Sequence, residues 1–307
     1  MKVTIIGPGA IGTLLAAFLA RKNNEVWLLD KYTERALKIG KGGIRVEGLT
    51  KINAKVKTTS EAKEIGHQDA VILCVKSYDT EEAIKKTGAL VKEDTLVLTL
   101  QNGIGNTQIL NDIIGEDQVL AGITSQAATI IRPGVVRHTG KGETVIGRTT
   151  KKPLGRARVL LELLNKAGMP TRTTKDINSL IWSKLIINSG INAISAITRL
   201  KNGALLDYPA ARELMRQAVS EAARVAKRKR IRLNYDDPIQ KVESVCKASG
   251  ENLSSMLQDV LRKKKTEIDF INGAIVRQGK SLNIATTVNE TLTNLIKTIE
   301  NSYQQQQ

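Results

Sequence analysis

The sequence predicts an α/β protein whose first half forms a doubly wound parallel sheet and whose second half is all α-helical. Three observations lead to this prediction. Short β-branched runs alternate with helical segments in the first half, a glycine-rich turn follows the first of these runs, and helical periodicity dominates after Pro170. Strands that alternate with helices are typical of a parallel sheet with crossover helices on both faces.

The strands and helices of the first half can be assigned in order. Residues 3–6 form the first strand, which leads through the glycine-rich turn into an apolar helix that includes residues 14–19. The further predicted elements are strands at residues 26–29, 71–75 and 96–100 and a helix at residues 80–90.

The end of the first domain is predicted from a change in periodicity. Alternation at residues 134–138 and 144–147 predicts hairpin strands, and residues 156–166 have the pattern of a helix. The helical pattern that follows Pro170 places the domain boundary there. We therefore expect a first domain of residues 1–170 and an all-α second domain of residues 171–307.

The composition is that of a globular protein without a metal site. The chain has 307 residues, of which 41% are hydrophobic and 25% charged, which excludes whole-chain disorder. Cys74 and Cys246 have no neighbouring cysteine or histidine, and His67 and His138 are isolated. These spacings predict neither a metal centre nor a redox pair.

The formal net charge of +17 attracts anions without specifying one. Lysine and arginine concentrate in helical stretches at residues 224–232 and 262–265, and only 3% of the chain is aromatic, so few rings are available to stack on bases. Solvated helix faces are the better interpretation, and no nucleic-acid partner is expected. The sequence shows neither a leader nor a run of roughly 18 uncharged apolar residues, so a soluble, cytoplasmic protein is expected.

The glycine-rich turn has the pattern G-x-G-x-x-G. It consists of Gly7, Pro8, Gly9, Ala10, Ile11 and Gly12. The first glycine permits the tight turn, the second lets the backbone approach a pyrophosphate, and the third allows close helix packing. Because the motif stands between a strand and a helix, it predicts a Rossmann-type dinucleotide site rather than a purely structural turn.

The two residues that follow the second strand, Asp30 and Lys31, bear on the choice of cofactor. Asp30 stands where a carboxylate accepts hydrogen bonds from the adenosine ribose hydroxyls and repels a 2′-phosphate, which favours NADH over NADPH. Lys31 could instead pair with such a phosphate. The cofactor is therefore predicted as NAD(P)H, with NADH favoured by Asp30. The alternative for Asp30 is a turn residue that ends the strand.

Three polar residues recur along an otherwise apolar helical segment at residues 179–197. Lys184, Asn188 and Asn192 are spaced four residues apart and so lie near one stripe of the helix. A buried polar group without a partner costs about 1–3 kcal/mol. The stripe therefore faces either a ligand or an interhelical polar network, and the pattern leaves both open.

Several motifs together resemble the ketopantoate reductase family. They follow the family's order and cover almost the whole chain: Gly7 to Gly12, Cys74-Val-Lys76-Ser, Gln101-Asn102-Gly103, Trp182-Ser-Lys184 with Asn188 and Asn192, Ser254-Ser-Met-Leu-Gln-Asp259, and Thr266-Glu267-Ile-Asp269. The resemblance implies a Rossmann-type domain followed by an all-α domain of the 6-phosphogluconate dehydrogenase C-terminal type. It also implies a homodimer.

The resemblance further implies an activity and a set of site residues. A member of the family would reduce 2-dehydropantoate (ketopantoate) to (R)-pantoate with NAD(P)H, a step towards pantothenate and coenzyme A. Lys184 would be the general acid, and Glu267 would bind the substrate hydroxyl and set the lysine. The substrate-binding residues would be Asn102, Asn188, Asn192, Asn252 and Ser255, and Lys76, Asn102 and Glu267 would lie beside the cofactor.

Other interpretations of these residues remain open from the sequence. Thr266 and Asp269 resemble a helix N-cap and its third-position acid, which would leave Glu267 only a helix-dipole role. Ser254 and Ser255 could begin and cap a helix, Lys76 could be a surface charge, and Gln101 to Gly103 could be a turn. At the level of function, the alternatives are a broader 2-oxo acid reductase and a non-enzymatic dinucleotide-binding redox sensor.

Overall fold

The computed structural model describes residues 1–22, 24–150, 155 and 157–305. These residues divide into two compact units. Unit 1 contains Met1–Gln101 and Asn106–Ile177, and unit 2 contains Asn102–Gly105 and Asn178–Gln307. Arg156, the expected first residue of a helix, lies outside the described residues.

The secondary structure of the described residues alternates in unit 1 and is helical in unit 2. The strands are β1 Lys2–Ile6, β2 Glu25–Leu29, β3 Ile44–Gly48, β4 Ile52–Ala54, β5 Lys57–Thr59, β6 Ala70–Leu73, β7 Leu96–Thr99, β8 Val119–Thr124, β9 Ala127–Arg132, β10 Val135–Gly140, β11 Thr144–Gly147 and β12 Thr171–Thr173. The α-helices are α1 Ala10–Ala20, α2 Thr33–Gly42, α3 Thr80–Lys86, α4 Asn106–Ile114, α5 Ala157–Lys166, α6 Ile177–Thr198, α7 Pro209–Arg228, α8 Pro238–Ala248, α9 Ser255–Leu261, α10 Asn272–Ser281 and α11 Thr287–Asn301.

The larger sheet of unit 1 has the strand order β12-β11-β8-β7-β6-β1-β2-β5. The six neighbouring strands β8, β7, β6, β1, β2 and β5 all pair in parallel, whereas β11 is antiparallel to β8. Alternate residues of β6 point to opposite faces: Ile72 packs with the apolar residues of α1 and α5, and Leu73 packs with those of α3 and α4. Helices therefore cover both faces, and the predicted doubly wound sheet is confirmed.

The direction of strand order reverses at β1, which lies between β2 and β6. In doubly wound sheets, the crevice outside the carboxyl ends of the strands at such a reversal is where ligands bind. The Gly7 N–H donates to Leu29 O at 2.9 Å, and the Cys74 N–H donates to Ile6 O at 2.8 Å. The glycine-rich turn is thus held at the reversal point by the strands on either side.

A second sheet of order β4-β3-β10-β9 was not predicted. Its apolar residues, such as Val46 and Val136, pack against α1, so that α1 is buried continuously from Gly12 to Leu19. The strands predicted at residues 134–138 and 144–147 are present as β10 and β11, but they do not pair with each other: β10 forms a hairpin with β9, and β11 joins the larger sheet. A period-two pattern identifies a strand but does not identify its partner.

The domain boundary follows the pairing of β12. Because β12 pairs in parallel with β11, residues 171–173 group with unit 1, and unit 2 resumes at Asn178. Residues 102–105 also group with unit 2, since the Ile104 N–H donates to Phe270 O at 3.1 Å. The division into a first domain of residues 1–170 and a second of residues 171–307 remains a prediction.

Unit 2 is built around α6, whose side chains Trp182, Ile186 and Ile194 are buried in its apolar core. A buried carboxylate orients another helix of this unit. Glu221 on α7 accepts the backbone N–H groups of Val288 and Asn289, each at 3.0 Å, at the start of α11. Negative charge is favourable at a helix N-terminus, so this contact stabilises the position of α11.

Within the described part of the chain, α6 alone is long and apolar enough to cross a membrane. Its most apolar window has a mean hydropathy of 1.3, and 67% of that window is buried. The core helix of a globular unit has the same length and composition, so this criterion is weak grounds for a membrane span.

Candidate active site

The glycine-rich turn leaves space for a pyrophosphate where the motif predicts it. Gly7 has φ +97°, and a Cβ there would lie 2.7 Å from Val75 Cγ1, while a Cβ on Gly12 would lie 2.1 Å from Gly7 O. Packing within unit 1 therefore requires both glycines. At Gly9 the nearest protein atom to a Cβ would be Cys74 O at 3.6 Å, so the protein itself does not require glycine there.

The N-terminus of α1 has the features of an anion site. Gly9 is its N-cap and provides no side-chain hydrogen bond, and no acidic residue stands in the first turn. The free N–H groups and the helix dipole together favour a phosphate. Gly9 and its uncapped helix thus fit the pyrophosphate of a dinucleotide.

Asp30, at the end of β2, makes contacts that the sequence did not predict. Its carboxylate is paired with Arg35 on α2, whose Nε donates to Oδ2 and whose Nη2 donates to Oδ1 at 2.6 Å. The Tyr32 N–H also donates to Oδ1, at 3.1 Å. Lys31 forms an ion pair with Asp79 at 3.1 Å. Desolvation lowers the pKa of Lys31, but the contact with Asp79 raises it, and the net pKa lies above its usual value.

The segments after β6 and β7 contain the remaining motif residues of this region. Lys76 precedes a short 3₁₀ turn, where the Asp79 N–H donates to Lys76 O at 2.8 Å. Gln101 has a structural role, because its amide donates to Val75 O at 3.0 Å and to Thr80 Oγ1 at 2.7 Å. These bonds link the carboxyl ends of β6 and β7.

In unit 2, Lys184 and Glu267 form an electrostatic pair. Burial lowers the pKa of Lys184, the negative charge of Glu267 acts in the opposite direction, and the net pKa lies below the usual 10.5. Glu267 is only 6% exposed, and its Oε2 accepts from Asn102 Nδ2 at 3.4 Å. A lysine with a lowered pKa beside a buried carboxylate can give up a proton more readily than a surface lysine.

Local structure fixes the position of Glu267. The residue stands outside regular helix and precedes a 3₁₀ turn at Ile268–Phe270. The Thr266 N–H donates to Glu300 Oε1 at 2.7 Å, and Thr266 Oγ1 accepts the Ile268 N–H at 3.2 Å. Glu267 makes no capping hydrogen bond, so the helix-capping interpretation does not account for its carboxylate.

The other polar residues of the α6 stripe have no protein hydrogen-bond partner. Asn192 is only 6% exposed and Asn188 is partly buried, yet neither side-chain amide bonds to any described residue. An interhelical network would have used these amides. Amides on a core helix that have no protein partner are available to bind a ligand instead.

The start of α9 is held next to this stripe. Ser254 Oγ accepts the Leu257 N–H at 3.1 Å and donates to the Asn192 backbone O at 3.5 Å. Ser254 is therefore the N-cap of α9, one of the roles that the sequence left open for it. Its contact with α6 was not predicted. Ser255 and Asn252 are exposed, and the Asn252 O accepts the Asn202 N–H at 3.0 Å.

The doubly wound unit with its glycine-rich turn and the helical unit with its lysine–glutamate pair are typical of nicotinamide-dependent oxidoreductases. Two family models match the chain: "Ketopantoate reductase PanE/ApbA" over residues 3–151 and "Ketopantoate reductase PanE/ApbA C terminal" over residues 176–300. The chain belongs to the ketopantoate reductase family.

Individual relatives match over nearly their full length. The 2-dehydropantoate 2-reductase of Pyrococcus horikoshii is 37% identical, with 98% of each chain covered, and that of Halobacterium salinarum is 33% identical, with 97% of this chain and 98% of the relative covered. A PanE/ApbA family ketopantoate reductase structure from Ralstonia eutropha has a TM-score of 0.91 at 35% identity and covers 99% of this chain and 100% of that one.

A relative of different specificity matches equally well in fold. The structure of D-mandelate dehydrogenase with NADH and anilino(oxo)acetate has a TM-score of 0.91 at 29% identity, and the match covers 98% of this chain and 99% of that one. The same fold thus occurs in an enzyme that is named for a different substrate.

The geometry of the glycine-rich turn predicts different effects of two glycine substitutions. Gly12→Ala places its Cβ against Gly7 O and should cost about 1–3 kcal/mol of unfolding free energy through overpacking. It should also weaken dinucleotide binding. Gly42→Ala is the matched control, because its Cβ would have no neighbour within 4 Å, and alanine is the better helix former by about 0.5–1 kcal/mol. Urea unfolding measures the change in stability, and cofactor titration measures the change in binding. Equal stability of the two variants would contradict the close packing assigned to Gly12.

Proposed function

We propose that this chain catalyses the NAD(P)H-dependent reduction of 2-dehydropantoate to (R)-pantoate, a step in pantothenate and coenzyme A biosynthesis. The observation that carries the proposal is the Lys184–Glu267 pair, together with the unpartnered Asn188 and Asn192 amides on α6. The names of its full-length relatives support the same reaction. We also propose a homodimer, from the family resemblance, and a cytoplasmic location.

Lys184 would provide the proton of this reaction. A reduced nicotinamide, when bound, supplies a hydride to the keto carbon. Negative charge then develops on the ketone oxygen, and the Lys184 ammonium stabilises this charge and protonates the oxygen. The lowered pKa of Lys184 favours the transfer, while the negative charge of Glu267 opposes this lowering and favours the protonated lysine.

The remaining polar groups of unit 2 would bind and orient the substrate. The amides of Asn188 and Asn192 provide donors and acceptors for the carboxylate and the hydroxyl of the 2-oxo acid. Glu267 would accept a hydrogen bond from the substrate hydroxyl, with Asn102 at its Oε2. Asn252 and Ser255, which are exposed in this structure, would complete the substrate contacts.

The cofactor is proposed as NAD(P)H. Gly7 to Gly12 would hold the pyrophosphate, and Lys31, Lys76, Asn102 and Glu267 would be further contacts. The carboxylate of Asp30 favours NADH, because it can accept hydrogen bonds from ribose hydroxyls and repels a 2′-phosphate. The Arg35 guanidinium already occupies part of the hydrogen-bonding capacity of this carboxylate.

A broader 2-oxo acid reductase is the second candidate. The observation that favours it is the D-mandelate dehydrogenase match, because that enzyme has the same fold and a phenyl-substituted substrate. Both candidates use the same proton donor. They differ only in what the substrate pocket accepts beyond the 2-oxo acid group.

Substrate comparison separates these two candidates. We expect kcat/KM for ketopantoate to exceed that for 2-oxoisovalerate by more than about 100-fold, because a site that hydrogen-bonds a substrate hydroxyl rejects the analogue that lacks it. The phenyl-substituted 2-oxo acid that corresponds to mandelate is the third substrate to assay. Similar kcat/KM values for the three acids would exclude the narrow assignment.

Removal of the proton donor should reduce turnover without loss of cofactor. In Lys184→Ala, kcat for ketopantoate should fall by about 10²- to 10⁴-fold, the usual contribution of general acid catalysis, with cofactor affinity unchanged. Lys241→Ala, an exposed lysine of the same unit, is the control and should retain wild-type kcat. If Lys184→Ala unfolds in urea as the wild type does and its kcat stays within about threefold of the wild-type value, Lys184 is not the proton donor.

The charge of Glu267 should set the alkaline limb of the pH profile. The general acid must be protonated, so kcat/KM falls as pH rises through the pKa of Lys184, which lies below 10.5. Glu267→Gln removes the charge that raises this pKa, and the limb should move to lower pH. In Asp269→Asn, which alters an exposed ion pair with Lys297, the limb should not move. An unmoved limb in Glu267→Gln would show that another group titrates.

A further inference from the structure

Residues 231–236 form the middle of the connection between α7 and α8, and they are named the α7–α8 connection below. Every second residue from Ile231 to Tyr235 is partly buried, and the residues between them are exposed, which is the alternation of an extended chain. Ile231 and Leu233 pack against the apolar core of unit 2. The α7–α8 connection therefore lies on unit 2 with one face, and Tyr235 belongs to that face.

Helix caps fix both ends of the α7–α8 connection. After α7, Arg230 has φ +58°, and the Ile231 N–H donates to Ala226 O at 3.0 Å, as in a helix that ends with a left-handed residue. Before α8, the Asp237 carboxylate accepts two backbone N–H groups of the first turn, at 2.9 and 3.0 Å. The contacts that the connection makes with α6 therefore start from a fixed base.

Three hydrogen bonds join the α7–α8 connection to the first two turns of α6. The Tyr235 hydroxyl donates to Ser183 O at 2.9 Å, and the Asn234 N–H donates to Ser183 Oγ at 3.0 Å. One turn earlier, Ser179 Oγ donates to Arg232 O. The Ser183 hydroxyl also donates to Ser179 O at 2.7 Å, so it is donor and acceptor at once. The start of α6 is thereby attached to the connection at two successive turns.

The carbonyl that accepts the Tyr235 hydroxyl belongs to the peptide bond between Ser183 and Lys184. A peptide bond is planar, so a contact that fixes this carbonyl also fixes the backbone nitrogen of Lys184. Ser183 is only 2% exposed, and burial raises the pKa of the Tyr235 phenol, which therefore remains a donor at alkaline pH. A residue distant in the sequence thus sets the point from which the lysine side chain extends.

We propose that Tyr235 is a positioning residue, which holds the Ser183–Lys184 peptide so that the lysine ammonium is placed for proton donation to the substrate ketone. A proton donor is effective only at hydrogen-bond distance from the atom that it protonates, and lysine reaches that distance on a long, flexible side chain. A fixed backbone removes one source of this freedom. The proposal rests on the proposed role of Lys184 as proton donor, and it adds a residue that none of the sequence motifs contains.

Tyr235→Phe tests this role, because it removes one hydroxyl and keeps the ring. With ketopantoate, kcat should fall about 10-fold, since displacement of a catalytic group by about 1 Å can cost about 10²-fold, and KM should change less than about threefold. Tyr208→Phe is the matched control. Tyr208 is a tyrosine of the same unit that is 54% exposed, and its variant should retain the wild-type kcat and KM.

The pKa of Lys184 distinguishes positioning from a loss of stability. Its surroundings hold this pKa below 10.5, so a loosened turn should let the pKa rise towards that value. The general acid acts when it is protonated, so the alkaline limb of kcat/KM should move to higher pH in Tyr235→Phe, opposite to the shift expected for Glu267→Gln. A variant with only a smaller folded fraction would lose kcat while the limb stays in place.

The same pKa can be measured without turnover. Reductive methylation with carbon-13 formaldehyde labels the lysines for NMR, and the Lys184 signal is assigned from its absence in Lys184→Ala. The pH titration of this signal should show a higher pKa in Tyr235→Phe than in the wild type, and the wild-type value in Tyr208→Phe.

The outcomes separate this proposal from the proposed reaction. If kcat in Tyr235→Phe is unchanged, or falls while the pKa of Lys184 stays the same, the positioning role is overturned and the reaction stands. Equal changes in Tyr208→Phe would overturn it as well. If the wild-type protein does not reduce ketopantoate and the NMR titration shifts only in Tyr235→Phe, the reaction is wrong and the placement of Lys184 by Tyr235 stands. If neither is observed, both proposals are wrong.

Discussion

The partly buried ammonium of Lys184, paired with Glu267, is the constraint on which the helical unit depends. Helix α6 is the apolar core helix of that unit, and burial there lowers the pKa of the lysine because the charged form loses its hydration. The carboxylate of Glu267 opposes this effect. The carboxylate thus favours the charged form of the lysine, and several surrounding contacts hold Glu267 in place.

Glu267 is held by contacts that are distant in the sequence. Glu300 on α11 accepts the Thr266 N–H, and α11 is itself fixed at its other end by Glu221 on α7. On the other side, residues 102–105 join unit 2 through Phe270, where Gly103 has φ +83° and a Cβ would lie 2.2 Å from Phe270 O. Glycine at position 103 thus allows the close approach that brings Asn102 to Glu267.

Periodicity and local motifs predicted the parts of this structure that depend on neighbours in sequence. The strand, glycine turn and helix at residues 2–20 follow from such a pattern, and so does the polar stripe of α6. The second sheet did not, because the pairing of β3 with β10 joins segments far apart in the chain. The electrostatic coupling of Lys184 to Glu267 likewise depends on packing, and only the resemblance to a family suggested it before the structure.

Asp30 shows how a partner changes the meaning of a motif residue. From the sequence, a carboxylate after the second strand is a ribose acceptor that excludes a 2′-phosphate. In the structure, Arg35 lies in the first turn of α2, and its guanidinium pairs with that carboxylate and lies near the Tyr32 ring. The pair has no net charge and exposes only its cationic member. Because Arg35 already occupies this carboxylate, the sequence rule for a carboxylate after the second strand describes only half of the interaction.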